Sequence, residues 1–340
     1  MKMARNINMK HSVFIFILMS ATLISCGGQT ERRKSSTDTI ALAPCPSFVA
    51  DSAMRYIQEQ CDFGPRVPGT PAAEVCGDYI AAEFRRFGAI VREQRIEVTA
   101  YDGKRLPSRN IIASLNPECA ERILFCAHWD SRPWADNDPD PQKHHTPVPA
   151  ANDGASGVAV MMELCREIQH NPVKIGVDFV CFDAEDMGTP DWAESSDDRA
   201  DTWCLGSLEW AREARAKGYR ARYGILLDMV GGRGSTFSRE AVSRQYADPV
   251  VDIIWRLARQ LGYGHYFPMQ DCGALIDDHV NVNRIARIPC VDIVPYFKYG
   301  PSSFGPTWHT VSDTPENIDP HVLEAVGQTL TQLLYNEEIE

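Results

Sequence analysis

The chain has 340 residues, 44% hydrophobic and 24% charged, with a formal net charge of −12. That length and apolar content support one large core and exclude a disordered, fibrous or multi-spanning chain. The acidic balance, with no cluster of lysine and arginine, excludes a nucleic-acid partner, because neutralising phosphates requires a basic patch.

At the N-terminus Lys2, Arg5 and Lys10 precede an apolar run from Ser12 to Ile24, too short to span a bilayer in a mature protein. This order predicts a signal peptide over residues 1–25. The run closes on Leu23-Ile24-Ser25-Cys26, which resembles a bacterial lipobox and so implies a lipid on Cys26. The alternative is a buried N-terminal helix, against which the basic start argues. Residues 26–46 read as the lipidated cysteine and a polar tether, and 47–340 as one domain. The expectation is an exported bacterial lipoprotein, held to a membrane through Cys26, with its domain in the periplasm or at the cell surface. Eleven cysteines in an oxidising compartment leave room for one or two disulfides, whereas Cys126 and Cys181, inside apolar runs, read as small core residues.

Three helix starts carry a capping residue followed by proline: Thr70-Pro71, Asp248-Pro249 and Asp319-Pro320. The first two runs end on glycine, at Gly88 and Gly262. Between the helices lie apolar runs of strand length at Asn110 to Ser114, Ile123 to Ala127, Ile175 to Phe182, Tyr223 to Leu227 and Cys290 to Val294. Alternating elements with uniformly apolar strands predict an α/β fold, a three-layer α/β/α sandwich around a central mixed, mostly parallel sheet. Two long polar loops, Trp134 to Pro149 and Met187 to Trp203, have the length of lids or site walls.

In such sheets ligands bind beyond the carboxyl ends of the strands. Those ends carry His128-Trp129-Asp130, Asp183-Ala184-Glu185-Asp186 and Asp228; Asn152-Asp153-Gly154 precedes a helix, and Trp308-His309-Thr310 lies near the C-terminus. Histidine and carboxylates suit zinc, and a catalytic site keeps one coordination position open. Singly, each of these residues has a structural reading as a cap or a satisfied core group; their convergence on strand ends is what points to a site.

The order His128-x-Asp130, Asn152-Asp153-Gly154, Glu185-Asp186, Asp228 and His309-Thr310, with Gly64-Pro65-Arg66-Val67-Pro68-Gly69-Thr70 upstream, resembles the M28 zinc aminopeptidase superfamily over nearly all of the mature domain. The resemblance implies zinc on Asp153, Asp186 and His309, with Glu185 as acid/base. Where the family most often has glutamate at the second ligand this chain has Asp186, one methylene shorter, so the backbone must approach the metal more closely.

His128 and Asp228 match the further ligands of the two-zinc aminopeptidases, so the ligands alone leave two functions open. Residues outside that set resemble the glutaminyl-cyclase branch: Trp308 and Phe304 before the last ligand, Asp277-Asp278-His279, Trp192 and the stretch Ser312 to Asp319. That branch implies one zinc per chain and peptides or proteins with an N-terminal glutamine as substrates. Cyclisation is an internal transamidation that needs no metal-bound water, so one Lewis acid suffices. Glu185 and Asp228 would then be catalytic, while Asp277, Trp308, Phe304 and Trp192 would surround the substrate. The bland alternatives are a core or exposed role for the tryptophans and a helix start at Asp277-Asp278. His144 and His145 read as solvated loop residues. The cysteine pair flanking the metal in animal cyclases has no full equivalent, since Val158 stands near the second position.

Overall fold

The computed structural model describes residues 39–193 and 202–337. The signal segment, Cys26 and the polar stretch to residue 38 lie outside the described residues. Helices α1 (Ala50–Asp62) and α2 (Pro71–Arg86) lead into the antiparallel strands β1 (Ile90–Thr99) and β2 (Arg105–Leu115). Then follow β3 (Arg122–His128), α3 (Ala155–His170), β4 (Gly176–Phe182), α4 (Leu205–Ala216), β5 (Tyr223–Leu227), α5 (Ala241–Gln260), the short α6 (Asp278–Asn281), β6 (Cys290–Ile293) and α7 (Pro320–Asn336). The sheet order is β1-β2-β4-β3-β5-β6; β3 to β6 run parallel and β2 joins β4 antiparallel, the mixed, mostly parallel sheet that the sequence predicts.

Strand geometry sends alternate side chains to opposite faces. On β3, Phe125 and Ala127 enter the larger core with α1, α2, α3, α5 and α7, whereas Leu124 and Cys126 enter a smaller core with Trp210 and Ala211 of α4 and with Val282. Both faces are covered, which completes the α/β/α sandwich and accounts for the largely apolar runs of β3, β4 and β5, in which buried Asp178 of β4 is paired with Arg122 at the start of β3. Val158 lies in the larger core and Cys126 in the smaller, and none of the ten described cysteines is in a disulfide.

Three local expectations change. Strand β1 is absent from the apolar-run reading because it is an edge strand whose outward positions are Arg92, Arg95 and Glu97 and whose burial is slight. Asp248-Pro249 opens only the second of two helical segments in α5: Glu240 caps the first by accepting from the amides of Val242 and Ser243, and non-helical Ala247 (φ −138°, ψ 32°) breaks the helix just ahead of Asp248 and Pro249. Residues 40–46, read as the end of a tether, dock on α5 and α7. There the amides of Ile40, Ala43 and Phe48 donate to Gln260, Asn336 and Gln328.

Candidate active site and metal centre

The carboxyl ends of β3, β4 and β5 bring the predicted groups to one place. Beyond β4, the Asp183 carboxylate accepts from the amides of Arg109 (2.6 Å) and Ala184 (2.9 Å), and Ala184 takes a left-handed conformation (φ +56°) that turns the next two side chains toward the cavity. The Glu185 and Asp186 amides both donate to the carboxylate of buried Asp130, at 3.1 Å each. On the opposite wall, Asp313 accepts from the amides of Asn152 (2.8 Å) and Asp153 (3.0 Å), which fixes the loop ahead of α3. Gly154 follows because a Cβ there would fall 2.7 Å from the His128 carbonyl oxygen.

Asp153, Asp186 and His309 converge so that one donor atom from each lies within 4.8 Å of the others. His309 Nε2 is 3.1 Å from Asp186 Oδ1 and 3.6 Å from Asp153 Oδ2, while its Nδ1 faces Asp136 Oδ1 at 3.5 Å. Asp136 is itself held by the buried Arg132 guanidinium. Such an outer carboxylate orients a ligating imidazole. Asp153 Oδ2 and Asp186 Oδ2 are buried without a hydrogen-bond partner among the described residues. Unpaired buried carboxylate oxygens are costly, and a nitrogen-oxygen donor set with two of them fits zinc. Burial and the facing Asp186 carboxylate push Asp153 up to about 7, the strain between buried anions that a cation relieves.

His128 lies beside this triad. Its Nε2 is 2.9 Å from Asp153 Oδ1 and 3.2 Å from Asp228 Oδ1, and its Nδ1 is 3.4 Å from Asp130. These carboxylates outweigh desolvation and raise the imidazole well above its usual value. Glu185 and Asp277 are both pushed well above the carboxylate range, chiefly by burial, then by Asp186 for Glu185 and by Asp228 for Asp277. Carboxyls shifted in this way inside a cleft suit proton transfer.

These groups open into a cavity of about 510 Å³, lined on its acidic side by Asp153, Glu185, Asp186, Asp228 and Asp277. Phe304, Trp308 and Trp203 give its aromatic wall. Trp308 stacks on His309 with ring centroids 3.8 Å apart, and His309 holds a left-handed backbone (φ +53°). Trp192 is not part of the lining: it is 43% exposed and meets Trp134 and His145 instead. The indole on the cavity is Trp203, eleven positions on, which sequence reading took only as the end of a loop. Its ring lies parallel to His309, and the Arg132 guanidinium sits over the same indole, with Cζ 4.7 Å from the ring centroid. Met229, Leu275 and Ile276 also line the cavity and carry no signal that a sequence motif would reveal. His144 bonds the Asp138 carbonyl, and neither it nor His145 joins a donor cluster among the described residues.

Strand-end carboxylates around an imidazole, on an α/β/α sandwich, define a metal-dependent enzyme. The sequence profile described as peptidase family M28 matches residues 110–334, and the chain belongs to that family. Among solved structures it resembles a glutaminyl cyclase from Tannerella forsythia (49% identity, TM-score 0.83), covering 86% of this chain and 99% of that one. A Bacteroides thetaiotaomicron glutaminyl cyclase is 46% identical, with TM-score 0.84 and coverages of 86% and 99%. A Zn-dependent exopeptidase from Parabacteroides distasonis is 48% identical, with TM-score 0.84 and coverages of 86% and 100%.

Proposed function

We propose that the chain is a zinc-dependent glutaminyl-peptide cyclotransferase, which closes the N-terminal glutamine of peptides and proteins to pyroglutamate and releases ammonia, with one zinc per chain. The observation that carries this reading is where the unpaired oxygens fall. Among the carboxylates that meet His128 or His309, the buried oxygens without a partner are Asp153 Oδ2 and Asp186 Oδ2; Asp228 has none, and its Oδ1 meets His128 Nε2 at 3.2 Å. The donor arrangement therefore favours a cation in the first triad and leaves Asp228 to act on substrate.

Asp153, Asp186 and His309 would hold the zinc, which when bound supplies a Lewis acid for the γ-carbonyl of the glutamine side chain. The chain's own residues move the proton. As the α-amine nitrogen attacks the γ-amide carbon, Glu185 accepts a proton from that nitrogen; it then returns the proton to the amide nitrogen as the C–N bond breaks, and ammonia leaves. Asp228, beside the same cavity, accepts a hydrogen bond from the substrate amine. Asp277, pushed toward its neutral form, supports the Glu185 side of this network. Phe304, Trp308 and Trp203 hold the short side chain in a folded pose and keep bulk water off the amide, so that ring closure competes with hydrolysis.

The test is ammonia release from a Gln-initiated dipeptide, run beside an aminopeptidase substrate, with chelation and zinc add-back. Release of free N-terminal amino acids without ammonia overturns the reading. One observation favours the runner-up, a two-zinc aminopeptidase: donors of His128, Asp153 and Asp228 also lie within 4.8 Å of one another. Two tightly held zinc ions per chain, both needed for turnover, would establish it.

The basic start, short apolar run and Cys26 support export and lipidation, with the domain outside the inner membrane. Metabolic labelling with a fatty acid, abolished by Cys26→Ser, checks the anchor.

A further inference from the structure

Glu185 must present a carboxylate oxygen to two substrate nitrogens in turn, which demands a fixed rotamer. Among the described residues its side chain has one hydrogen-bond donor: Cys204 Sγ, 3.3 Å from Glu185 Oε1. The two residues are clasped twice, because the Cys204 amide also donates to the Glu185 carbonyl at 3.0 Å. Cys204 is 3% exposed, and its backbone is left-handed (φ +55°, ψ 35°), a conformation that L residues with a side chain seldom adopt. Two further bonds hold it there: the Ser207 hydroxyl (3.0 Å) and the Asn281 amide (3.2 Å) donate to its carbonyl. Ala184, on the other side of the clasp, is left-handed as well and accepts from the Leu205 amide at 3.1 Å. The strain of both turns is thus spent on aiming one thiol at one carboxylate oxygen.

We propose that Cys204 is a positioning residue for catalysis, whose S–H donates to Glu185 Oε1 and leaves Oε2 as the oxygen that carries the proton. A thiol suits this task. It is a weak donor, so it orients the carboxylate without quenching its basicity as an arginine or lysine would. Its burial also matters: desolvation first, then Glu185, pushes the thiol well above its usual range, so it stays protonated and can only donate. Asp277 completes the surroundings, with a donor oxygen within 4.8 Å of both Glu185 and Cys204.

The experiment compares full-length wild type with Cys204→Ala, Cys204→Gly and Cys204→Ser in steady-state ammonia release, with zinc content and Tm measured on each. Removing the donor (Ala or Gly) is expected to lower kcat roughly tenfold or more with KM within about twofold, as befits a misaligned proton carrier. Serine, which keeps a donor, is expected to restore kcat to within about threefold of wild type. Zinc content should stay unchanged throughout. If Cys204→Ala fails to fold, Cys204→Gly, which adopts the left-handed backbone without strain, carries the comparison. Unchanged kcat in the donorless variants overturns the proposal, and so does serine falling as far as alanine, because volume rather than donation would then matter. The proposal rests on the cyclase reading above, yet the two fail separately. If wild type releases no ammonia, that reading falls, and the same variants assayed for release of N-terminal amino acids still decide the role of Cys204.

Discussion

The indole of Trp203 lies against the backbone of Gly188 so closely that a Cβ at position 188 would fall 1.8 Å from its Cε2 atom. The same indole lies parallel to His309, at an interplanar angle of 7° and a centroid distance of 5.9 Å. An overlap that large is beyond a local adjustment, so the ring must leave its place. Gly188→Ala must therefore displace the indole from the cavity wall. The expected outcome is a KM for Gln-initiated peptides raised roughly tenfold, with zinc retained, since the change reaches the wall and not the ligands. Steady-state kinetics with metal analysis checks this; an unchanged KM would mean that Trp203 contributes nothing to binding.

Glu185 carries the proton in the proposed reaction, and its carboxylate has a donor oxygen within 4.8 Å of one on Asp277 and of one on Asp186. Glu185→Gln keeps the shape and removes the base. It is expected to lower kcat by about 10²- to 10⁴-fold while KM changes little. Retention of zinc in the variant is part of the prediction, because Glu185 is not among the proposed ligands.

The metal assignment separates two neighbouring clusters. Asp186→Ala removes an oxygen that has no protein partner at Oδ2, and it should abolish stoichiometric zinc binding and activity together. His128→Ala should instead leave about one zinc per chain, because His128 is engaged by Asp130 and Asp228. Elemental analysis after dialysis against a weak chelator reads both. Loss of all zinc in His128→Ala would move the centre to the second cluster.

A second buried pair, His279 and Glu240, contributes to stability in acid. Burial alone would raise Glu240, but His279, with Nε2 3.2 Å away, and the Ser243 and Val242 amides override it and hold the carboxyl down at about 2. A carboxyl lower in the folded state than in the unfolded one stabilises the fold above its unfolded value. That contribution is lost as the pH falls from about 4.5 toward 2. It is on the order of 3 kcal/mol for a shift of this size. Urea titrations at stepped pH should show wild type losing stability through this window, with a visibly shallower fall for Glu240→Gln. Parallel curves would remove Glu240 from the account.

Much of the sheet was legible because its central strands are buried on both faces and are therefore apolar at nearly every position, as from Ile123 to Ala127. Helices α2 and α7 were legible because Thr70 and Asp319 cap them ahead of a proline. Helices α1 and α4 have no side-chain cap, and β1 alternates charges along an exposed edge, so neither motif nor apolar run marks them. The same rule divides the site. Residues that follow strand ends directly, such as Asp228, advertise themselves by position; residues that arrive from a returning loop, such as Trp203, Cys204 and Ile276, do not.

The sequence by itself determined the layered fold, the acidic and imidazole groups at its strand ends and the resemblance to M28 enzymes, because each depends on local pattern and order along the chain. The tertiary structure decided which oxygens are left without a partner, which tryptophan faces the cavity and which thiol touches the acid/base. Sequence reading pointed to Trp192 and took Trp203 only as the end of a loop; in the fold it is Trp203, packed against the bare backbone of Gly188, that lies on the cavity wall.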